Sequence, residues 1–130
     1  MSERIAIVSA KRTPIGKFLG VFSDLRAVDL GRSAIQGVLA DSGIEPREVN
    51  EIIFGMARQA GAGPNPARQA AVFAGIPVEV PAFTVNQACA SGLQAILLAG
   101  DRIRLGEASI LIAGGMESMT QVPYLLPRAR

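Results

Sequence analysis

The feature that most constrains this chain is an alternation between short β-branched runs and stretches with apolar residues three or four apart. Ile5-Ala6-Ile7-Val8 reads as a buried strand. Lys11 to Gly20 is broken by Pro14, Gly16 and Gly20 and reads as a loop. From Leu25 to Leu39, Leu25, Val28, Ala34, Ile35, Val38 and Leu39 keep helical spacing; Ser23 or Asp24 is placed to cap the start and Gly43 to end it. Val49 to Phe54 is a second strand. Asn65-Pro66 opens a helix over Ala67 to Ala74, with Asn as cap and Pro in the first turn. Val80 to Val85, Cys89 to Leu105 and Ser109 to Ala113 follow as strand, helix and strand, and Pro123 to Arg130 shows no element. Strands and helices in strict alternation predict an α/β layered domain with a mainly parallel sheet of about four strands.

Composition narrows the possible roles. The chain has 130 residues, one modest domain's worth, and no internal repeat. Charged residues are 18%, against about a quarter in an average soluble domain, while apolar residues reach 49%. Such a surface is one meant to be covered, by a larger protein or by oligomer partners. No segment supplies the run of about 20 apolar residues needed for a membrane span. The 13 basic and 11 acidic residues are dispersed, which argues against nucleic acid as a partner. The opening Met1-Ser2-Glu3-Arg4 resembles neither a signal nor a transit peptide. A single cysteine excludes an internal disulfide and points to a reducing, cytoplasmic setting. With no histidine and no second cysteine, no metal-ligand cluster is expected.

That cysteine, Cys89, lies where a strand ending at Val85 gives way to a helix. A helix start offers unpaired N–H groups and a positive dipole end, which favour a thiolate and can hold an oxyanion. Ala88, Ala90, Ser91 and Gly92 leave room for a substrate. By itself this leaves two readings: a nucleophile, or a small buried apolar residue.

The stretch Asn86-Gln87-Ala88-Cys89-Ala90-Ser91-Gly92-Leu93-Gln94-Ala95 resembles the nucleophile signature of thiolases. Three further stretches are similar to the same family, in its order and spacing. They are Ser9-Ala10-Lys11-Arg12-Thr13-Pro14-Ile15-Gly16-Lys17-Phe18, Asn65-Pro66-Ala67-Arg68-Gln69-Ala70, and Ala113-Gly114-Gly115-Met116-Glu117-Ser118-Met119-Thr120. The resemblance covers nearly the whole chain, and its start, Arg12-Thr13-Pro14-Ile15-Gly16-Lys17, is most similar to the acetyl-CoA acetyltransferase branch. It implies a layered α/β/α fold, with residues 1–121 as part of the family's N-terminal domain and 122–130 as the start of the following loop region. It also implies that the C-terminal thiolase domain is absent.

The resemblance further implies that Cys89 takes an acyl group from a coenzyme A thioester, with its own amide as one oxyanion donor. The reaction would condense two acetyl-CoA to acetoacetyl-CoA, or thiolyse a 3-ketoacyl-CoA. Acyl-CoA would be the substrate, no cofactor would be held permanently, and the intact protein would be a homo-oligomer, dimer or tetramer. Neither membrane nor nucleic acid enters. The family also uses an activating histidine and a second cysteine as acid and base, and this sequence contains neither. The chain alone is therefore expected to be catalytically incomplete. Two other readings remain: a related condensing enzyme such as a β-ketoacyl synthase, and a non-catalytic thiolase-like fragment.

Other features read plainly. Gly61-Ala62-Gly63-Pro64 lacks a dinucleotide-site context and reads as an ordinary loop. Gly114-Gly115 reads as close backbone packing at a strand end. Glu117 reads as a solvated turn residue rather than a polar anchor, and Lys11, Arg12 and Lys17 as a solvated loop rather than phosphate ligands. No residues are assigned to coenzyme A.

Overall fold

Strand formation follows the apolar runs in three of four places in the computed structural model, which describes residues 4–129. The strands are β1 (Glu51–Gly55), β2 (Ala82–Val85) and β3 (Leu111–Gly115), joined in a parallel sheet of order β2-β1-β3. The helices are α1 (Ala27–Ser42), α2 (Pro66–Phe73) and α3 (Ser91–Arg104). Two short 3-10 turns, Pro46–Glu48 and Met119–Gln121, complete the elements. Met1–Glu3 of the opening run, and Arg130 of the stretch read as lacking an element, lie outside the described residues.

The strand order explains the layers. The chain moves from β1 outward to β2, then back across β1 to β3. Parallel crossovers are right-handed, so this reversal sends α2 and α3 to opposite faces. The period-2 alternation of β1 serves both. Ile52 and Phe54 join a core with Val28 and Ile35 of α1 and Ala67, Ala70 and Ala71 of α2. Ile53 points the other way, to Ala95 and Ala99 of α3. Ile35, Ile52 and Ile53 are fully buried, each contributing about 1.5–3 kcal/mol on burial.

α2 begins as its sequence predicts. Asn65 caps it from a left-handed conformation (φ 46°), its Oδ1 accepting from Arg68 N at 3.4 Å. The cap is also tied to β2: Thr84 Oγ1 donates to Asn65 Oδ1 and accepts from Ala67 N, each at 2.9 Å. Replacing Thr84 with Val leaves the Ala67 amide without that acceptor. The expected cost is about 1–3 kcal/mol, read as a lower urea midpoint at unchanged m-value. An unmoved midpoint would show the network to be idle.

Three expectations need correction. Ile5–Val8 forms no strand, so among the described residues the sheet has three strands rather than four. β-branched residues favour a strand only where a neighbouring ladder receives them, and Ile7 and Val8 stand 78% and 69% exposed. The segment instead leads from α3, where Ile5 Cδ1 lies beside Gly100, to α1, where Ser9 and Lys11 both bind Asp41. α1 is capped by Arg26, not Ser23 or Asp24, because the preceding residues are spent on a turn. Asp29 reaches back to the Arg26 N–H and guanidinium, and that guanidinium holds the Asp29 carboxyl below its ordinary range. Finally, Cys89 is not the first residue of α3, which starts two positions later.

Candidate active site

The carboxyl ends of the three strands lie level, with Gly55 registered against Val85 on one side and Gly115 on the other. In open parallel sheets this end is where ligands bind. The chain leaves β2 here and enters α3 through residues 86–90. Asn86 starts the turn by accepting the Ala88 N–H on Oδ1 at 2.9 Å. Ala88 takes a left-handed conformation (φ 51°), which costs a residue with a Cβ about 1–2 kcal/mol. Ala90 N then donates to Gln87 O and Ser91 N to Ala88 O. Ser91, 4% exposed, accepts from Gln87 N at 2.8 Å and donates from Oγ to Ala88 O at 2.6 Å. Cys89 stands between these bonds, free and exposed. It is therefore not a packing residue of this core.

Beyond Cys89, the N-cap of α3 is Ala90, which provides no side-chain cap. A helix end of this kind leaves first-turn N–H groups available to a negative charge. Two glycines bring the backbone close. A Cβ on Gly55 would lie 2.4 Å from Ser91 C and 2.6 Å from Gly92 N. A Cβ on Gly115 would lie 3.3 Å from both Gly55 O and Gly92 Cα. Gly114 faces the Phe54 ring instead. The reading of Gly114-Gly115 as close packing is thus met at Gly115 by backbone and at Gly114 by a side chain. Gly55 was not singled out from the sequence. Its only signal there is a glycine ending a strand-like run, since its partner lies 36 positions on, at Ser91.

Glu117 is an anchor, not a solvated turn residue. Its carboxylate accepts from Ala57 N at 2.9 Å and Arg58 N at 3.0 Å, bracing the loop after β1. Glu117→Ala is expected to destabilise the fold by about 1.5–3 kcal/mol, seen as a fall in thermal midpoint. A change no larger than that of an exposed-surface alanine would contradict the anchor. On the far side of the same loop, Asn86 Nδ2 donates to Ala57 O at 3.0 Å.

Of the basic residues, Lys11 pairs with Asp41 at 2.6 Å, and with Ser9 holds that carboxyl below its ordinary range. Arg12 donates to Thr13 O. Lys11 and Arg12 border a hollow of about 170 Å³ with Gly115 and Glu117. A second hollow of about 150 Å³ lies between Arg26, Arg58 and the Gly61 loop. Neither hollow includes Cys89. Gly61 and Gly63 both have positive φ, and Gln69 ties their loop through Ala62 O and Pro64 O. Among the described residues no His, Cys, Asp and Glu group could hold a metal ion. No helix among them is long and apolar enough to cross a membrane. Leu93, Ile96 and Leu97 of α3 face outward.

Residues 5–130 match the family described as thiolase, N-terminal domain. A probable acetyl-CoA acyltransferase of Staphylococcus epidermidis is 54% identical over 98% of this chain and 32% of its own length. An acetyl-CoA acetyltransferase of Allochromatium vinosum is 48% identical over the whole chain and 33% of its own length. Another, of Cupriavidus necator, is 47% identical over 97% of the chain and 32% of its own length. The chain thus spans about a third of the length of these relatives. With a parallel α/β sheet and a match to the family's N-terminal domain over residues 5–130, the chain belongs to the thiolase family.

Proposed function

We propose that this domain carries the nucleophile of a coenzyme A-dependent acyltransferase, and that Cys89 is the acyl acceptor. The observation that carries the reading is the exposed Cys89 on a turn at the carboxyl end of the sheet, beside an uncapped helix start. The Cys89 Sγ attacks the thioester carbonyl carbon of an acyl-CoA. The bond from that carbon to the coenzyme A sulfur breaks, and coenzyme A leaves as its thiolate and takes up a proton. Charge on the carbonyl oxygen is met by backbone N–H groups at the α3 start, the Cys89 amide among them. The acyl-cysteine divides one hard transfer into two easier ones. In the second, the deprotonated methyl carbon of another acetyl-CoA attacks the carbonyl carbon of the acetyl-cysteine. The bond from that carbon to Cys89 Sγ breaks, and acetoacetyl-CoA leaves with Cys89 restored as its thiolate; the reverse sequence is thiolysis of a 3-ketoacyl-CoA.

The second step needs a base to remove a methyl proton, and the 130 residues contain no histidine and no cysteine besides Cys89. General base catalysis contributes a factor of about 10² to 10⁴, so repeated turnover draws on groups from outside this sequence. Such an enzyme keeps no permanent cofactor and works as a cytoplasmic homo-oligomer. The outward Leu93, Ile96 and Leu97 agree with a further covering layer. The test is thiolysis of acetoacetyl-CoA by the chain mixed with the C-terminal two thirds of the Allochromatium vinosum relative. Activity is expected from the mixture and from neither part alone. Substantial turnover by the 130-residue chain alone would refute the division of labour.

A further inference from the structure

The geometry points to Asn86 as a positioning residue for Cys89, an inference that rests on the nucleophile reading above. Both peptide groups flanking the left-handed Ala88 are pinned by side chains. The Ala88 N–H is held by Asn86 Oδ1 at 2.9 Å, and the Ala88 carbonyl by Ser91 Oγ at 2.6 Å. Cys89 follows directly, so these two bonds set the direction in which its side chain leaves the turn. The two pins differ in what else they touch. Ser91 is buried at the start of α3, and its second bond, from Gln87 N, stays within the turn. Asn86 is exposed, and its second bond, from Nδ2 to Ala57 O at 3.0 Å, leaves the turn for the loop after β1. That loop is held in turn by Glu117, through the amides of Ala57 and Arg58.

One carboxamide therefore references the Cys89 turn to both other strand ends, to β1 through Ala57 and to β3 through Glu117. Without it, Ala88 keeps only the Ser91 side of its hold. Its unfavourable φ then gives it a reason to relax toward the ordinary right-handed or extended regions. Relaxation there turns Cys89 but removes nothing from the core.

The test compares Asn86→Ala with Gln59→Ala in the full chain. Gln59 braces the same loop, donating to Met56 O at 2.9 Å, but is not among the partners of Ala88. Acylation of Cys89 by acetyl-CoA, which needs aim, is expected to slow about 10- to 100-fold in Asn86→Ala. Alkylation by iodoacetamide follows exposure and thiolate fraction instead, and should stay within about threefold. Gln59→Ala should leave the ratio of the two rates unchanged. Equal slowing of both reactions in Asn86→Ala, or a matching loss of acylation in Gln59→Ala, overturns the proposal. Amide hydrogen exchange reads the same hold without any acyl donor: Ala88 should exchange at least about tenfold faster in Asn86→Ala and not in Gln59→Ala. Unaltered Ala88 exchange overturns the proposal in any case. If the wild-type chain is not acylated, the nucleophile reading falls, and the exchange result alone upholds or overturns the hold on Ala88.

Discussion

Cys89→Ala is expected to abolish acyl transfer from acetyl-CoA, by at least about 10⁴-fold in a single-turnover measurement, because removing a nucleophile removes the route and not one contribution to it. The same variant should unfold at nearly the wild-type temperature. Cys89 is exposed, so trimming its sulfur opens no cavity, and surface changes of this kind stay within about 0.5 kcal/mol. The pairing of a large chemical effect with a negligible stability effect separates a nucleophile from a packing residue. A substantial drop in unfolding temperature with acyl transfer intact would place Cys89 in a structural role. Cys89→Ser provides the intermediate case: it keeps shape and a hydroxyl, but serine has no adjacent base among these residues to activate it.

Gly55→Ala should be the most damaging single methyl addition in the chain. Its Cβ would sit 2.4 Å from Ser91 C and 2.6 Å from both Gly92 N and Ser91 O. All three are backbone atoms, so no side chain can swing aside, and α3 itself must retreat from β1. Overpacking of this kind costs about 3 kcal/mol, and a shift of about 1 Å at the α3 start slows acyl transfer about 10²-fold. Urea denaturation gives the first effect and single-turnover acylation the second. Gly92→Ala supplies the opposite sign. A Cβ there meets nothing within 4 Å, and alanine in a helix is favoured over glycine by about 0.5–1 kcal/mol. A destabilised Gly92→Ala beside an unaffected Gly55→Ala would contradict the described contact between β1 and α3.

What could be read from the sequence was what is local in the chain. Asn65-Pro66 announced α2 because an Asn cap and an N1 proline act within one turn, and the structure places both there. The strand runs at Val49–Phe54 and Ser109–Ala113 overlap β1 and β3 because a run of consecutive apolar residues suits a parallel strand covered on both faces. Ile5–Val8 has the same composition and forms no strand, since pairing depends on a neighbouring ladder that no local pattern specifies. Glu117 read as solvated because its partners, Ala57 and Arg58, lie 60 and 59 residues away. The hold on Ala88 was hidden for a different reason. Asn86, Ala88 and Ser91 are neighbours in sequence, but a left-handed alanine violates the ordinary preference and shows only in the backbone. The candidate nucleophile was legible and the devices that place it were not.

The most direct measurement is an intact mass spectrum of the chain after incubation with acetyl-CoA, followed by peptide mapping, with a parallel sample alkylated beforehand by iodoacetamide. One acetyl group is expected, on Cys89, absent from the alkylated sample and lost when free coenzyme A is added in excess. An unacetylated Cys89 in a chain that iodoacetamide labels fully would show an accessible thiol that does not accept the acyl group, and would contradict the assignment of Cys89 as the nucleophile.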